Sequence, residues 1–196
     1  MNTKIINSAF NVFPILETER LILRDFSYCD TRDLFIIRSD QRVMEFMDSP
    51  VHQSLSDSEE MIDLMFESFQ NKTGINWAIE NKFNGRMIGY VGFWRIITEH
   101  VRAEIGYALK PPVWGKGYMK EAIMAALYFG FEQLGLHSVE ANVNPKNLAS
   151  VRLLKSLGFK KEGHFRENYY FDGQFFDSEI YSLLESDFQD FGEIGI

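Results

Sequence analysis

Residues Ile105 to Leu134 constrain this chain more than any other stretch. An apolar run, Ile105 to Leu109, reads as a strand. Pro111-Pro112 stops it, because proline has no N–H to give to a β-ladder. Gly115-Lys116-Gly117 follows, and then a helical pattern from Tyr118 to Leu134, with Gly135 placed as its C-cap. Strand, glycine turn and helix start, in that order, set a row of free backbone N–H groups at a helix N-terminus. Such a row binds anions, phosphates above all. Without a Cβ, Gly115 and Gly117 let a ligand come close to the backbone, and Lys116 adds a positive charge. On this stretch alone a plain tight turn is an equal alternative. The spacing excludes a P-loop, since no Gly-x-x-x-x-Gly-Lys-Ser/Thr is present. It also departs from the full dinucleotide fingerprint, because Lys120 stands where the third glycine belongs.

The rest of the chain arranges itself around that unit. Residues 1–12 show no clear period and read as an arm or an edge strand. Leu21 to Arg24 is a short strand. Ser27 to Asp30 resembles a capping box, with helical spacing after it, and Gln41 to Met47 is a second short helix. Ser56 to Glu59 reads as a capping box too. Behind it Met61, Ile62, Met65, Phe66 and Phe69 form a helical stripe, a buried face that also suits the wall of a cleft. From residue 75 the period becomes two. Asn76 to Glu80, Met87 to Ile97 and Ala103 to Lys110 form an antiparallel meander, with an Asn84-Gly85 turn. Gly89 and Gly92 inside it mark a bulge or a close neighbour. Beyond the long helix come a strand (His137 to Asn144), a short helix (Leu148 to Leu157) and a hairpin turning at Asp172-Gly173. Residues 187–196 read as a mobile tail. This order gives an α/β fold with a mixed, mostly antiparallel sheet in a single domain over residues 1–196.

Composition narrows the partners. With 20 basic and 28 acidic residues the formal charge is −8, which argues against nucleic acid as a partner and is compatible with a cationic one. Eighteen Phe and eight Tyr suit a large aromatic core or a roomy apolar pocket. Trp77, Trp94, Tyr169 and Tyr170 are assigned to core or cleft wall. Cys29 is the one cysteine, so no disulfide forms within the chain, as in a reducing compartment. No apolar run reaches the roughly 18–20 residues of a membrane span and no signal pattern opens the chain. These features read as a cytoplasmic protein without a membrane partner. The four histidines lack metal-ligand spacing, so no metal site is expected.

Four segments together resemble the GNAT superfamily of acetyl-CoA-dependent N-acetyltransferases, nearest the branch of ribosomal-protein N-terminal alanine and serine acetyltransferases. They are Thr18-Glu19-Arg20-Leu21-Ile22-Leu23-Arg24; Ala103-Glu104-Ile105-Gly106-Tyr107 running into Trp114-Gly115-Lys116-Gly117-Tyr118; Asn144-Pro145-Lys146-Asn147-Leu148-Ala149-Ser150 with Leu157-Gly158-Phe159; and Glu162-Gly163 through Arg166 with Asp177 and Tyr181-Ser182-Leu183. The resemblance spans residues 14–185. It implies a sheet of roughly six or seven strands with about four helices, splayed between the strand at 103–110 and that at 138–143. It implies acetyl-CoA as co-substrate, its pantetheine arm in the split and its pyrophosphate on the turn at 115–120. The implied binding residues are Tyr107, Ala108 and Leu109 on the strand, Gly115, Lys116, Gly117, Tyr118, Met119 and Lys120 on the turn, and Asn147 and Lys155 beyond. Lys146 and Arg152 are further cations that can meet phosphate.

The implied reaction is direct attack of an amine on the thioester. Amides near 107–109 are the expected oxyanion donors. Glu104 stands at a strand position where several members place a catalytic glutamate, and it is the candidate base. The competing reading pairs it with Arg102 as a structural anchor. Asn142 occupies the place of a second glutamate, leaving Glu140 as a weaker alternative. Leu154 stands where many members carry a proton-donating tyrosine. Ser150 matches the serine assigned that role in the ribosomal-protein branch, and Asn147 also reads as a helix N-cap. The acceptor is then an amine: a protein N-terminal α-amine, or a polyamine or aminoglycoside. A non-catalytic acyl-CoA-binding module is the reading from another class, and a homodimer is left open.

Overall fold

The computed structural model describes residues 10–192; the expected N-terminal arm lies mostly outside them. Its centre is an eight-stranded sheet in the order β1-β2-β3-β4-β5-β6-β8-β7. The strands are β1 (Leu16–Glu17), β2 (Leu21–Arg24), β3 (Ile75–Asn81), β4 (Arg86–Ile97), β5 (Arg102–Leu109), β6 (Ser138–Val143), β7 (Lys160–Phe171) and β8 (Gln174–Leu184). The helices are α1 (Thr31–Arg38), α2 (Gln41–Met44), α3 (Leu55–Gln70), α4 (Tyr118–Tyr128, continued by a π-helical turn Phe129–Gln133), α5 (Leu148–Ser156) and α6 (Glu185–Gly192). The expected α/β class holds, with more elements than expected. The additional strand is the two-residue β1, too short to carry a period-two signal. Helix α6 begins where a tail was expected; Phe188 packs on Phe131 at 5.0 Å and Asp187 pairs with Lys160. Residues 193–196 of that expected tail lie outside the described part.

Every neighbouring pair is antiparallel except β5 and β6. Strand alternation sends side chains to two cores. On one face Leu21, Leu23, Trp77, Phe93 and Ile105 pack under α4, whose buried side carries Ala122, Ile123 and Ala126. Trp77 is fully buried, its rings meet Phe93 and Phe129 edge-on, and its indole N–H donates to the Pro14 carbonyl at 2.8 Å. On the other face Ala78, Tyr90 and Ala108 pack against Leu34 and Ile37 of α1 and Ile62 of α3.

Local chemistry sets the helix starts. Ser27 and Asp30 form the expected capping box, and the Asp30 carboxylate also receives both ends of the Arg24 guanidinium (2.8 and 2.9 Å). Arg24 reaches Glu80 as well, at 2.6 Å, and so ties β2, β3 and the start of α1 together. Burial alone would raise the Asp30 carboxyl, but Arg24 and Ser27 outweigh it and hold it below the usual carboxylate range. The second box is displaced from the expected Ser56–Glu59 to Ser54 and Asp57. Ser54 alone has the extended backbone (φ −143°, ψ 165°) that an N-cap needs, and Ser56 already lies inside the helix.

Gly89 and Gly92 answer to close neighbours. Bulges lie beside them as well: Ile79 pairs with Gly89 but Glu80 with Met87, leaving Ile88 over, and Trp94 is left over between Phe93 and Arg95, just beyond Gly92. A Cβ on Gly92 would lie 2.4 Å from Asn76 Oδ1 and 2.5 Å from the Ile75 carbonyl. Gly92→Val is therefore expected to destabilise the fold by about 1–3 kcal/mol or more through overpacking. Urea denaturation with an unchanged slope would read this; a midpoint equal to the parent's would refute the crowding.

Candidate active site

The parallel ladder between β5 and β6 is short. It pairs Arg102 with Ser138, Ala103 with Val139 and Glu104 with Glu140, and no further. Beyond Glu104 the strands part, while β5 stays bonded to β4 as far as Leu109. The parting opens one edge of β5 from Ile105 onward and leaves its outward amides and carbonyls without a strand partner. A cleft of about 960 Å³ runs from this split to α1 and α3. Ile105, Gly106, Tyr107, Ala141, Asn142 and Val143 line the split end. Met61, Leu64 and Met65 of α3 form the wall that the helical stripe suggested.

The glycine turn sits at the head of β5. Gly115 and Gly117 have φ of 72° and 79°, the left-handed region that disfavours side chains. Gly117 is the N-cap of α4 and supplies no side-chain acceptor, so the first amides of that helix point outward unsatisfied. Gly115, Lys116, Gly117 and Lys120 are exposed, and a Cβ on Gly115 would meet nothing within 4 Å. An open row of donors beside a basic side chain fits a diphosphate. Met119 turns its side chain into the core, so it can offer a ligand only its backbone; Ala108 and Leu109 are likewise buried, one in each core.

A brace that sequence reasoning did not assign holds the turn. Arg20 donates to the Lys116 carbonyl at 3.0 Å, pairs with Glu121 at 2.6 Å and lies 4.5 Å over the Tyr118 ring. Glu121 also accepts from the Thr18 hydroxyl (2.6 Å) and the Arg20 amide (2.8 Å). Burial opposes ionisation of Glu121, but these donors win and keep its carboxyl below the usual range. The signal was present in Thr18-Glu19-Arg20, whose roles become legible only beside the turn.

The chemical groups flank the split. Arg102 pairs at 2.7 Å with Glu140, so the alternative base is engaged and Glu104 is left free of that partner. Burial first, then repulsion from Glu140 and Asp48 against the attraction of Arg95 and Arg102, pushes the Glu104 carboxyl up to about 7. Across the split, the Ser150 hydroxyl lies 2.7 Å from the Tyr107 hydroxyl. Burial pushes the Tyr107 phenol up to about 12, so it keeps its proton. Tyr107, predicted as a backbone contact, thus also contributes a side chain. Asn147 caps α5 by accepting the Ser150 amide at 3.1 Å, and both line the cleft. Leu154 is fully buried and cannot reach the site. Lys155 lies on the exposed last turn of α5 and is not brought to the cleft wall. Lys146 and Arg152 are exposed as well. Trp94 and Tyr169 form cleft wall as expected, whereas Tyr170 is exposed against Phe175, outside both core and cleft.

Comparison with known proteins meets this geometry. The model of the acetyltransferase (GNAT) domain matches residues 20–160. The uncharacterized N-acetyltransferase YoaA of Bacillus subtilis is 37% identical over 174 residues, covering 89% of this chain and 98% of the relative. The spermidine N-acetyltransferase of Vibrio cholerae, solved in complex with CoA and spermine, superposes with a TM-score of 0.78 at 24% identity, over 88% of this chain and 99% of that one. The self-immunity acetyltransferase MccE, solved with acetyl-CoA and AMP, gives 0.77 at 23%, over 85% and 93%. Among the described residues no helix is long and apolar enough to cross a membrane. The chain belongs to the GNAT acetyltransferase family and is an N-acetyltransferase with acetyl-CoA as its co-substrate.

Proposed function

We propose that the acceptor is a primary amine, a protein N-terminal α-amine as first candidate, and that it attacks the thioester directly. The carrying observation is Glu104, a carboxylate with a pKa of about 7 beside the split and within the cleft. A base works best when its pKa lies near the working pH. Glu104 takes the proton from the attacking nitrogen, directly or through water. Amides on the free edge of β5 near 107–109 meet the developing oxyanion. As the carbon–sulfur bond breaks, Ser150 gives a hydrogen bond to the leaving sulfur, and Tyr107 stands behind it as a protonated partner. An ordinary hydroxyl is a poor acid, so the pair stabilises the thiolate more than it transfers a full proton. The gap beside β5 accepts the pantetheine arm as it would a further strand, and the amides from Gly115 to Lys120 receive the diphosphate. The cleft volume of about 960 Å³ supports a peptide end. A polyamine is the second reading, favoured by the carboxylates of Asp48, Asp57, Glu60 and Glu104 on the same walls. Thiol release from acetyl-CoA with a peptide panel and a polyamine panel separates the two.

Glu104→Gln is expected to lower kcat by roughly 100-fold or more with acetyl-CoA affinity little changed. The parent's kcat/KM should rise with pH to a midpoint at about 7, and that limb should vanish in the variant. A folded-state pKa above the ordinary value gives stability that is full at low pH and is lost as pH rises through about 7. The variant should therefore gain melting temperature relative to the parent as pH rises from about 4.5 to about 7, the window between the two pKa values. An unchanged rate and pH profile would make Glu104 structural.

Tyr107→Phe and Ser150→Ala should each slow turnover by roughly 5–10-fold, the value of one hydrogen bond. The double variant should be little slower than either single one; independent, multiplying losses would break the pairing. Gly117→Val, forced to hold a positive φ, should weaken acetyl-CoA binding by roughly 10-fold or more. Calorimetry showing parental affinity would remove the diphosphate from this turn.

A further inference from the structure

Arg38, at the end of α1, is 7% exposed and lines the cleft. No carboxylate lies within ion-pair distance of it among the described residues. Its acceptors are neutral, and two of the four contacts are long. Nη2 donates to the Ser49 hydroxyl at 2.8 Å, Nη1 reaches the Tyr90 hydroxyl at 3.4 Å and the Met47 sulfur at 3.2 Å, and Nε reaches His52 Nε2 at 3.5 Å. His52 cannot share the charge. Its Nδ1 lies 2.8 Å from the buried Ser58 hydroxyl, and burial, then Arg38, push its pKa down. A buried guanidinium normally faces a carboxylate, because an uncompensated charge in a low-dielectric site costs several kcal/mol, about the Born penalty after relaxation. Among the described residues that compensation is missing, at a group lining the cleft.

Its place relative to the base is readable from the sheet. Tyr90 pairs with Ala108, while Glu104 pairs with Arg95. Ala108, Gly106 and Glu104 alternate onto one face, and that face carries Ala108 against α1. Arg38 and Glu104 therefore share one face of the sheet, four β5 residues apart, roughly 13 Å along the strand. The cleft thus holds a base at one end and a fixed cation at the other. The charge at the Arg38 end suits a monoanion. Arg95, the other arginine on the cleft wall, is across from Glu104, and Asp48, Asp57 and Glu60 would repel a dianion. A planar guanidinium matches a carboxylate in geometry.

We infer that Arg38 is a specificity-determining residue that binds a carboxylate on the acceptor amine, so that the preferred acceptor carries a nitrogen for Glu104 and a carboxylate for Arg38. Two sources present this chemistry: a small ω-amino carboxylate, or a peptide N-terminus with an acidic side chain within its first residues. An unmodified polyamine presents a second cation to Arg38 and is disfavoured there. This inference rests on amine acetylation in the cleft.

The test uses the full chain saturated with CoA for binding, and with acetyl-CoA for turnover. The probes are 8-aminooctanoate, 1,8-diaminooctane, and the peptide amides Ala-Ala-Glu and Ala-Ala-Gln. In the parent, 8-aminooctanoate or the Glu peptide should raise the melting temperature and be acetylated with a kcat/KM at least about 10-fold above its uncharged or dicationic counterpart, the worth of one charge-assisted contact. Arg38→Met should bring that ratio to near one while the KM for acetyl-CoA stays put. Because the guanidinium lacks a carboxylate, this variant should keep or gain stability; Arg38→Gln serves as the second variant. Preference in the first pair assigns a small amino carboxylate, and preference in the second an acidic peptide end. Equal binding and turnover within both pairs, or a preference that survives in both variants, overturns the inference and leaves amine acetylation standing. Carboxylate-selective melting shifts lost in both variants, with no thiol released from any probe, would uphold the anion site and retire the proposed acceptor chemistry.

Discussion

The site depends on a ladder that stops early. β5 and β6 form the sheet's parallel pair, and it ends at Glu104 and Glu140. Had it continued, the outward edge of β5 would be satisfied by β6, and no extended ligand could lie there. Its early end leaves hydrogen-bonding backbone at the bottom of a cleft, where an extended thioester arm can take the place of the missing strand. The antiparallel partners on the far sides, β4 and β8, keep each half of the sheet rigid. The same last pair brings two glutamates side by side, and the choice made by Arg102 decides between them. By binding Glu140 it leaves Glu104 with burial and like charge as its dominant influences.

Charge placement then divides the labour of the cleft. The Glu104 carboxyl is pushed up to about 7, Tyr107 keeps its proton, and Arg38 has no acidic partner among the described residues. Each departs from what stability alone would select. A buried arginine facing hydroxyls and a thioether weakens the fold relative to an apolar residue of like volume. Such residues gather where binding or chemistry needs them. The cores on either side of the sheet, with Trp77 and Phe93 on one and Ile37 and Ile62 on the other, supply the burial that offsets them.

The glycine turn needs a counterpart to its freedom. Positive φ at Gly115 and Gly117 allows many backbone shapes, and Arg20 with Glu121 selects one. The brace is partly exposed, so a single pair would stabilise little. Its strength comes from number: Glu121 collects three donors, from the Thr18 hydroxyl and the Arg20 amide and guanidinium, and Arg20 adds a carbonyl and an aromatic face. The connection between β1 and β2, which carries Thr18 and Arg20, thereby braces the glycine turn at the end of β5.

Neighbouring residues determined much of this protein by themselves. Period-two and period-3.6 patterns, the Pro112 stop, the left-handed glycines and the Asn147 cap are local instructions, because dihedral limits and i, i+3 contacts act within a few residues. The family likeness was legible for the same reason, as it rests on contiguous segments. Ser54 taking the cap expected of Ser56 shows the limit of such reading: several serines and acids satisfied the pattern, and backbone direction chose among them. What the tertiary structure alone decided are partnerships between distant residues: Arg102 with Glu140 rather than Glu104, Tyr107 with Ser150, Arg20 with Glu121, and Arg38 with no carboxylate among the described residues. No spacing rule encodes these, since each depends on sheet register and on which strand edge is left bare. Electrostatics follows distance and burial in space, so charge partners in the cleft become defined only when the sheet closes around them.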